Sequence, residues 1–262
     1  MVLPKVLAVL AWATTTTATS ILLPLYIYPL SGAWTPIFNA IASTPTVHWQ
    51  VVVNPNSGPG PANAYPSSDY ITAINQLNSY KNVETIGYVR TNYTNRPCSE
   101  VTADIQTYAY WATYQVTNAN ISVNGIFFDE APYANLAALI QYMSNVSSFA
   151  YDTIPTPATT VIFNPGTSAT ALQYFNYAQT IIEFEDFYTA YQNQTTINSF
   201  PSGGVRKQSA VVVHNYTGTA ATLQSLVHTG IVNKLAGMYF TSDCCYQDLS
   251  IIGQVATAFS KG

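Results

Sequence analysis

The chain has 262 residues, enough for one large core and the usual size of a single α/β barrel. Charged residues make up only 8% of it, against roughly 25% in an ordinary soluble domain, so surface polarity must come from Ser, Thr, Asn, Gln and Tyr or from attached sugars. Acidic residues outnumber basic ones by 12 to 8 and no basic stripe is present, which argues against a nucleic-acid partner.

Residues 1–20 read as a secretory signal. Lys5 is the lone charge before a short apolar core from Val6 to Ala13, and Ala18-Thr19-Ser20 supplies small residues for cleavage. The apolar core is shorter than the ~20 residues that cross a bilayer, so no membrane span is expected after cleavage. A retained anchor running on through Ile21–Leu30 is disfavoured by the polar Thr-rich interruption. Sequons at Asn92, Asn120, Asn145, Asn193 and Asn215 fit a secreted, extracellular or cell-wall glycoprotein. Cys98, Cys244 and Cys245 allow one disulfide, either from Cys98 to one of the pair or between the vicinal two.

From residue 21 to 262 the chain reads as one domain in which apolar strand-like runs alternate with helical patterns eight times. The expected strands are Leu22–Tyr28, Trp49–Asn54, Thr85–Arg90, Gly125–Asp129, Thr160–Asn164, Thr180–Glu185, Ala210–His214 and Gly237–Thr241. Each is a continuous apolar run between turn residues, as a parallel strand buried on both faces requires.

Between them, Val101, Ile105, Tyr108 and Ala112 mark one face of the third helix, with Ser99 expected as its N-cap and Glu100 in its first turn. Leu223, Leu226, Val227 and Ile231 mark the seventh, and Leu249, Ile252, Val255 and Phe259 the last, with Asp248 in its first turn. Eight such units predict a single (β/α)8 TIM-type barrel. The competing open doubly wound sheet lacks its G-x-G-x-x-G turn.

In that barrel the acids sort unevenly. Asp69, Glu100, Asp104 and Asp248 fall at helix starts, and Glu84 and Asp152 in loops. Asp129, Glu130, Glu183, Glu185, Asp186 and Asp243 gather at or near strand C-terminal ends, where barrel active sites lie. In Gly125-Ile-Phe-Phe-Asp-Glu130 an apolar strand runs straight into two carboxylates before Pro132 stops it. Two carboxylates from different strands facing one cleft are what glycosidic cleavage needs: one protonates the leaving oxygen, the other attacks the anomeric carbon or activates water. The alternative is that Asp129-Glu130 merely caps its loop and meets Arg90 or Arg96. Glu183 lies deeper in its strand, as a hydrogen-bonded core acid would.

Tyr28, Asn54, Tyr88, Arg90, Asn164, His214, Tyr216 and Tyr239 are expected at the same mouth, where aromatic faces stack on sugars and polar groups bind hydroxyls. No G-x-S-x-G, H-E-x-x-H, P-loop or C-x-x-C occurs, which disfavours a serine hydrolase, a zinc protease and a nucleotide enzyme. A divalent metal on Asp129, Glu130 and Glu185 would lack a supporting His cluster, so no metal and no cofactor is expected.

Several pieces together resemble the spherulin-4 family (spherulation-specific family 4) of fungal secreted proteins. They are Tyr26-Ile-Tyr-Pro29 with Trp34, Asn54-Pro-Asn-Ser-Gly-Pro-Gly60, Gly87-Tyr-Val-Arg-Thr91 with Tyr93, Gly125-Ile-Phe-Phe-Asp-Glu130, Asn164-Pro-Gly166 and Phe184-Glu185. The resemblance implies a (β/α)8 glycoside hydrolase acting within α-1,4-linked galactosamine polymers such as galactosaminogalactan, a cationic matrix polysaccharide. It implies catalytic roles for Asp129 as nucleophile, Glu185 as acid/base and Glu130 in orienting substrate. The partner it implies is an amino-sugar polysaccharide; the chain itself is expected to be a monomer. The acidic balance of the chain suits such a substrate. A non-catalytic spore or cell-wall glycoprotein that binds glycan is the rival reading, though it has no need of acids from two strands. A substrate-assisted chitinase would want D-x-x-D-x-D-x-E on the fourth strand, which Gly125–Glu130 is not.

Overall fold

The computed structural model describes residues 18–200 and 205–262, so most of the expected signal lies outside the described residues. Eight parallel strands close into a barrel in sequence order: β1 (Ser20–Leu25), β2 (Trp49–Val53), β3 (Val83–Arg90), β4 (Gly125–Asp129), β5 (Thr160–Asn164), β6 (Thr180–Phe187), β7 (Ser209–His214) and β8 (Gly237–Phe240). Closure is made by β1 on β8, with Ser20 opposite Gly237 and Ile21 opposite Met238. The strands are apolar along their length because the barrel interior buries one side and the helices the other. Ile21, Val51, Ile126, Ile162 and Val212 are all fully buried.

Seven α-helices cover the barrel among the described residues: α1 (Thr35–Ser43), α2 (Ser68–Leu77), α3 (Cys98–Trp111), α4 (Ala137–Thr153), α5 (Asn193–Ser199), α6 (Ala220–Val232) and α7 (Ile252–Ser260). Among the described residues, the helix expected after β5 is absent. After β5, Pro165 and a left-handed Gly166 (φ 69°) turn the chain, and a single 3-10 turn at Leu172–Asn176 covers that sector by burying Tyr174 and Phe175.

Several boundaries differ from the sequence reading for identifiable reasons. β1 starts at Ser20, in register with β8, and ends where β2 ends, so Tyr26 and Tyr28 leave the sheet at the barrel mouth. α3 is capped by Pro97, whose carbonyl takes the amides of Glu100 and Val101, which puts Ser99 inside the helix. Trp111 rather than Ala112 completes its buried face. Asp104 lies beyond the first turn and pairs with Arg96 at 2.6 Å. Asp248 precedes α7 and accepts from the Ser242 and Ser250 hydroxyls, which hold its pKa low. Glu84 belongs to β3, where Gln50 donates to it at 3.1 Å, and Asp152 sits in the last turn of α4.

Two glycines set close approaches. A Cβ on Gly87 would lie 2.8 Å from the Tyr108 ring of α3, and one on Gly125 would lie 2.0 Å from the Thr160 carbonyl of β5. Glycine at these positions lets α3 seat against β3, which carries Tyr88 and Arg90, and β5 against β4, which carries Asp129.

Candidate active site

The mouth of the barrel is built from the last residues of β3 to β7 and from the loop after β8. Register places Arg90, Asp129 and Asn164 side by side on β3, β4 and β5. Asp129 accepts from the Tyr88 hydroxyl at 2.7 Å on Oδ2 and from Asn164 Nδ2 at 2.9 Å on Oδ1. Burial pushes its pKa above the ordinary carboxylate value. The Tyr88 bond opposes this, and the charge of Glu185 adds to the rise, which wins.

Glu185 arrives from β6 through an irregularity. Along the β6–β7 ladder Ile182 faces Ala210 and Phe184 faces Val211, so Glu183 is an extra, bulged residue. Strict alternation would put Glu183 and Glu185 in the same environment, and the bulge separates them. Glu183, only 2% exposed, takes the Ala169 amide on Oε1 at 3.2 Å, while its Oε2 is buried without a partner. Burial raises its pKa to about 7. Its reading as a core acid therefore fits the geometry.

Glu185 instead accepts on Oε1 from the Tyr246 hydroxyl and lies 3.4 Å from His214 Nε2. Burial lifts its pKa, but the bonds from His214, Tyr246 and Asn164 outweigh burial and hold it below the ordinary value. Asn164 thus serves both acids. It is itself fixed by the Gly166 amide on its Oδ1 at 3.1 Å.

Glu130 has a left-handed backbone (φ 50°), a conformation that non-glycine residues adopt at a cost and that clusters at functional sites. It is held there by the loop after β3: Thr91 Oγ1 and the Tyr93 amide both reach its carbonyl at 2.7 Å. Its carboxylate pairs with Arg90 Nε at 2.8 Å, as one sequence reading anticipated for this segment, while Asp129 makes no ion pair with Arg90 or Arg96.

The remaining expected residues fall into different places. Tyr28 stands on the rim, 43% exposed, donating to Asp69 at 2.9 Å. Asn54 uses its amide oxygen to accept the Gly58 amide at 2.9 Å and so braces the 54–61 loop. Tyr216 is buried, its hydroxyl on the Thr219 carbonyl. Tyr239, 2% exposed, stacks behind Tyr246 rather than at the surface. Asp186 accepts its neighbour's amide, and Asp243 accepts from Thr241 and Gln247, so both fasten loops.

Three tyrosines at the site were not singled out as site residues from sequence. Tyr246 reaches Glu185 from the loop after β8. Tyr26 is wedged edge-on between Tyr88 and Tyr246, with centroids 5.5 and 5.2 Å away. Tyr93 is 48% exposed, and its hydroxyl feels the charges of Glu130, Asp129 and Glu185. The Tyr26 and Tyr93 positions were visible only as pieces of the family resemblance. The cysteines resolve as a Cys244–Cys245 vicinal disulfide with Cys98 free.

A closed parallel barrel with carboxylates raised at its C-terminal mouth has the fold of the barrel glycoside hydrolases. A chitinase from Bacteroides thetaiotaomicron shares it over 94% of this chain and 96% of its own, with a TM-score of 0.60 at 11% identity. An endo-β-1,4-mannanase from Thermotoga petrophila shares it over 94% and 77%, with a TM-score of 0.57 at 7% identity. The chain belongs to spherulation-specific family 4, whose family model matches residues 20–257. It is 32% identical to spherulin-4 of Physarum polycephalum over 94% of its own length and 71% of that protein's. It is equally 32% identical to Aspergillus clavatus Sph3, solved in complex with GalNAc, with a TM-score of 0.85 over 93% of this chain and 98% of Sph3.

Proposed function

We propose that this protein is a glycoside hydrolase that cleaves α-1,4-linked galactosamine and N-acetylgalactosamine polysaccharide, with Asp129 and Glu185 as its reacting carboxylates. The observation that carries the reading is the pair itself. The two acids come from β4 and β6, meet on Asn164, and have proton affinities driven apart by their surroundings. Such splitting assigns acid and base roles in carboxylate enzymes. Glu185, held ionised, is the nucleophile or the base that activates water. Asp129, which holds its proton to higher pH, donates to the departing glycosidic oxygen. This order is the reverse of the one the family resemblance implied, and it follows from the number and charge of the donors around Glu185.

Glu130 and Arg90 form the polar rim that orients substrate, and Tyr93 offers an exposed ring for a sugar face. The GalNAc bound to Sph3 supports an amino sugar as the recognised unit. The chain's acidic balance favours a partly deacetylated, cationic polymer over acidic glycans. The protein acts outside the cell as a monomer, delivered by a signal that ends before Ser20, the first residue of β1.

The test is a panel of galactosaminogalactan, chitin and β-mannan incubated with the secreted protein, with released oligosaccharides read by mass spectrometry. Fragments are expected from galactosaminogalactan alone. Binding to that polymer without cutting would hand the protein to the glycan-binding coat class. Neither binding nor cutting would retire the substrate.

A further inference from the structure

The loop after β8 contains the one described disulfide, and it adjoins the tyrosine that touches Glu185. Cys244 and Cys245 are both exposed, and the next residue, Tyr246, has a left-handed backbone (φ 59°). On either side the loop is fastened by polar bonds. Thr241 and Asp243 bond to each other, Asp243 takes the Gln247 amide at 2.8 Å, and Ser242 bonds to Asp248. Residues 244–246 are the span between the Asp243 and Gln247 anchors. In that span the covalent link between adjacent residues closes a small ring that restricts the two residues preceding Tyr246. The left-handed conformation is disfavoured for a side chain of this size, so a flexible 244–245 segment would let Tyr246 relax away from it.

We propose that the Cys244–Cys245 ring is the positioning element that aims the Tyr246 hydroxyl at Glu185, and that opening it by a dithiol or glutathione releases that hydrogen bond from the carboxylate. In the opening step a reductant thiolate attacks one sulfur and the S–S bond breaks to a mixed disulfide. A second reductant thiol then displaces the first cysteine, leaving Cys244 and Cys245 as thiols with two electrons and two protons gained, and the reductant as its disulfide. The exposure of both cysteines gives the reductant access.

This rests on Glu185 being a reacting carboxylate, but its structural core does not need turnover to be tested. The groups that face Glu185 are Asp129 from β4, Asn164 from β5, His214 from β7, Tyr246 from the loop after β8, Tyr93 from the loop after β3, and Tyr26 after β1. Opening the ring withdraws only one of them, a donor that stabilises the ionised form.

The experiment is carboxyl NMR titration of Glu185 in 13C-glutamate-labelled protein carrying Cys98→Ser, with the resonance assigned by its loss in Glu185→Gln. Oxidised protein, protein reduced by a phosphine with thiols counted, and a Cys244→Ser/Cys245→Ser double variant are compared, each with and without Tyr246→Phe. Reduction is expected to raise the Glu185 pKa by about one unit, as loss of a hydrogen bond to a charged group would. The double variant should match the reduced protein, and neither treatment should add anything once Tyr246 is Phe. A Glu185 pKa unmoved by reduction, or moved equally in Tyr246→Phe, overturns the proposal. Should the double variant fail to fold, the reduced wild type still decides it. If the pKa moves as expected yet no polymer is cut, the positioning stands and the hydrolase reading falls.

Discussion

Asn164 Nδ2 stands 2.9 Å from Asp129 Oδ1, and the same side chain helps to hold Glu185 ionised. One amide therefore acts on both acids. Asn164→Ala is expected to lower kcat by about 10- to 100-fold with little change in KM, because misplacing a reacting group by an ångström is worth that much. Steady-state kinetics on galactosaminogalactan fragments would check it; an unchanged kcat would remove Asn164 from the site.

The pH profile should follow from the two opposed shifts. Activity needs Glu185 ionised and Asp129 protonated, so it rises through the low Glu185 pKa and falls through the raised Asp129 pKa. The Tyr88 hydroxyl stabilises ionised Asp129 at 2.7 Å. Removing it in Tyr88→Phe raises the Asp129 pKa further, so the alkaline limb of kcat/KM should move to higher pH while the acid limb stays. A shift of the alkaline limb to lower pH would contradict the assignment.

Glu183 predicts a pH-dependent stability. Its folded pKa of about 7 exceeds the ordinary glutamate value, so the folded state holds a proton that the unfolded chain releases near 4.5. The stability linked to that proton is complete below about 4.5 and is lost as pH rises to about 7, an effect of up to about 3 kcal/mol. Glu183→Gln, neutral throughout, should melt higher than wild type at pH 8 and equally at pH 4. Thermal denaturation at both values checks it.

Gly87 carries a packing prediction. With a Cβ 2.8 Å from the Tyr108 ring, Gly87→Ala must push α3 away from β3, at about 1–3 kcal/mol for an overpacked core. Denaturant titration should show the midpoint falling with the slope unchanged.

The barrel was legible in the sequence because each strand is buried on both faces and so is a continuous apolar run, which Gly125–Asp129 and Thr160–Asn164 show to the residue. The absence of a helix after β5 was not, since only the eightfold alternation implied one there, and Pro165 and Gly166 turn the chain into a single 3-10 turn. Asp129, Glu130 and Glu185 were visible as carboxylates where an apolar run ends. The greater depth of Glu183 could be read from its place in the strand, but the bulge that separates it from Glu185 could not, because a bulge depends on register with β7 and leaves no local pattern. Strand ends reveal which residues approach the mouth but not their depth, so Tyr239 lies beneath the site and Asn54 turns back into its own loop. Tyr246 escaped notice because a polar loop without periodicity gives no hint that its backbone aims a side chain at another strand's acid.

The central claim is that Asp129 and Glu185 break glycosidic bonds. The most direct measurement compares wild type with Asp129→Asn and Glu185→Gln on purified galactosaminogalactan, following released oligosaccharides by mass spectrometry and polymer binding in parallel. The account predicts soluble fragments from wild type and a loss of at least about 100-fold in rate in each folded variant, the usual contribution of an acid or base, with binding retained. Fragment release by both variants at the wild-type rate would contradict it.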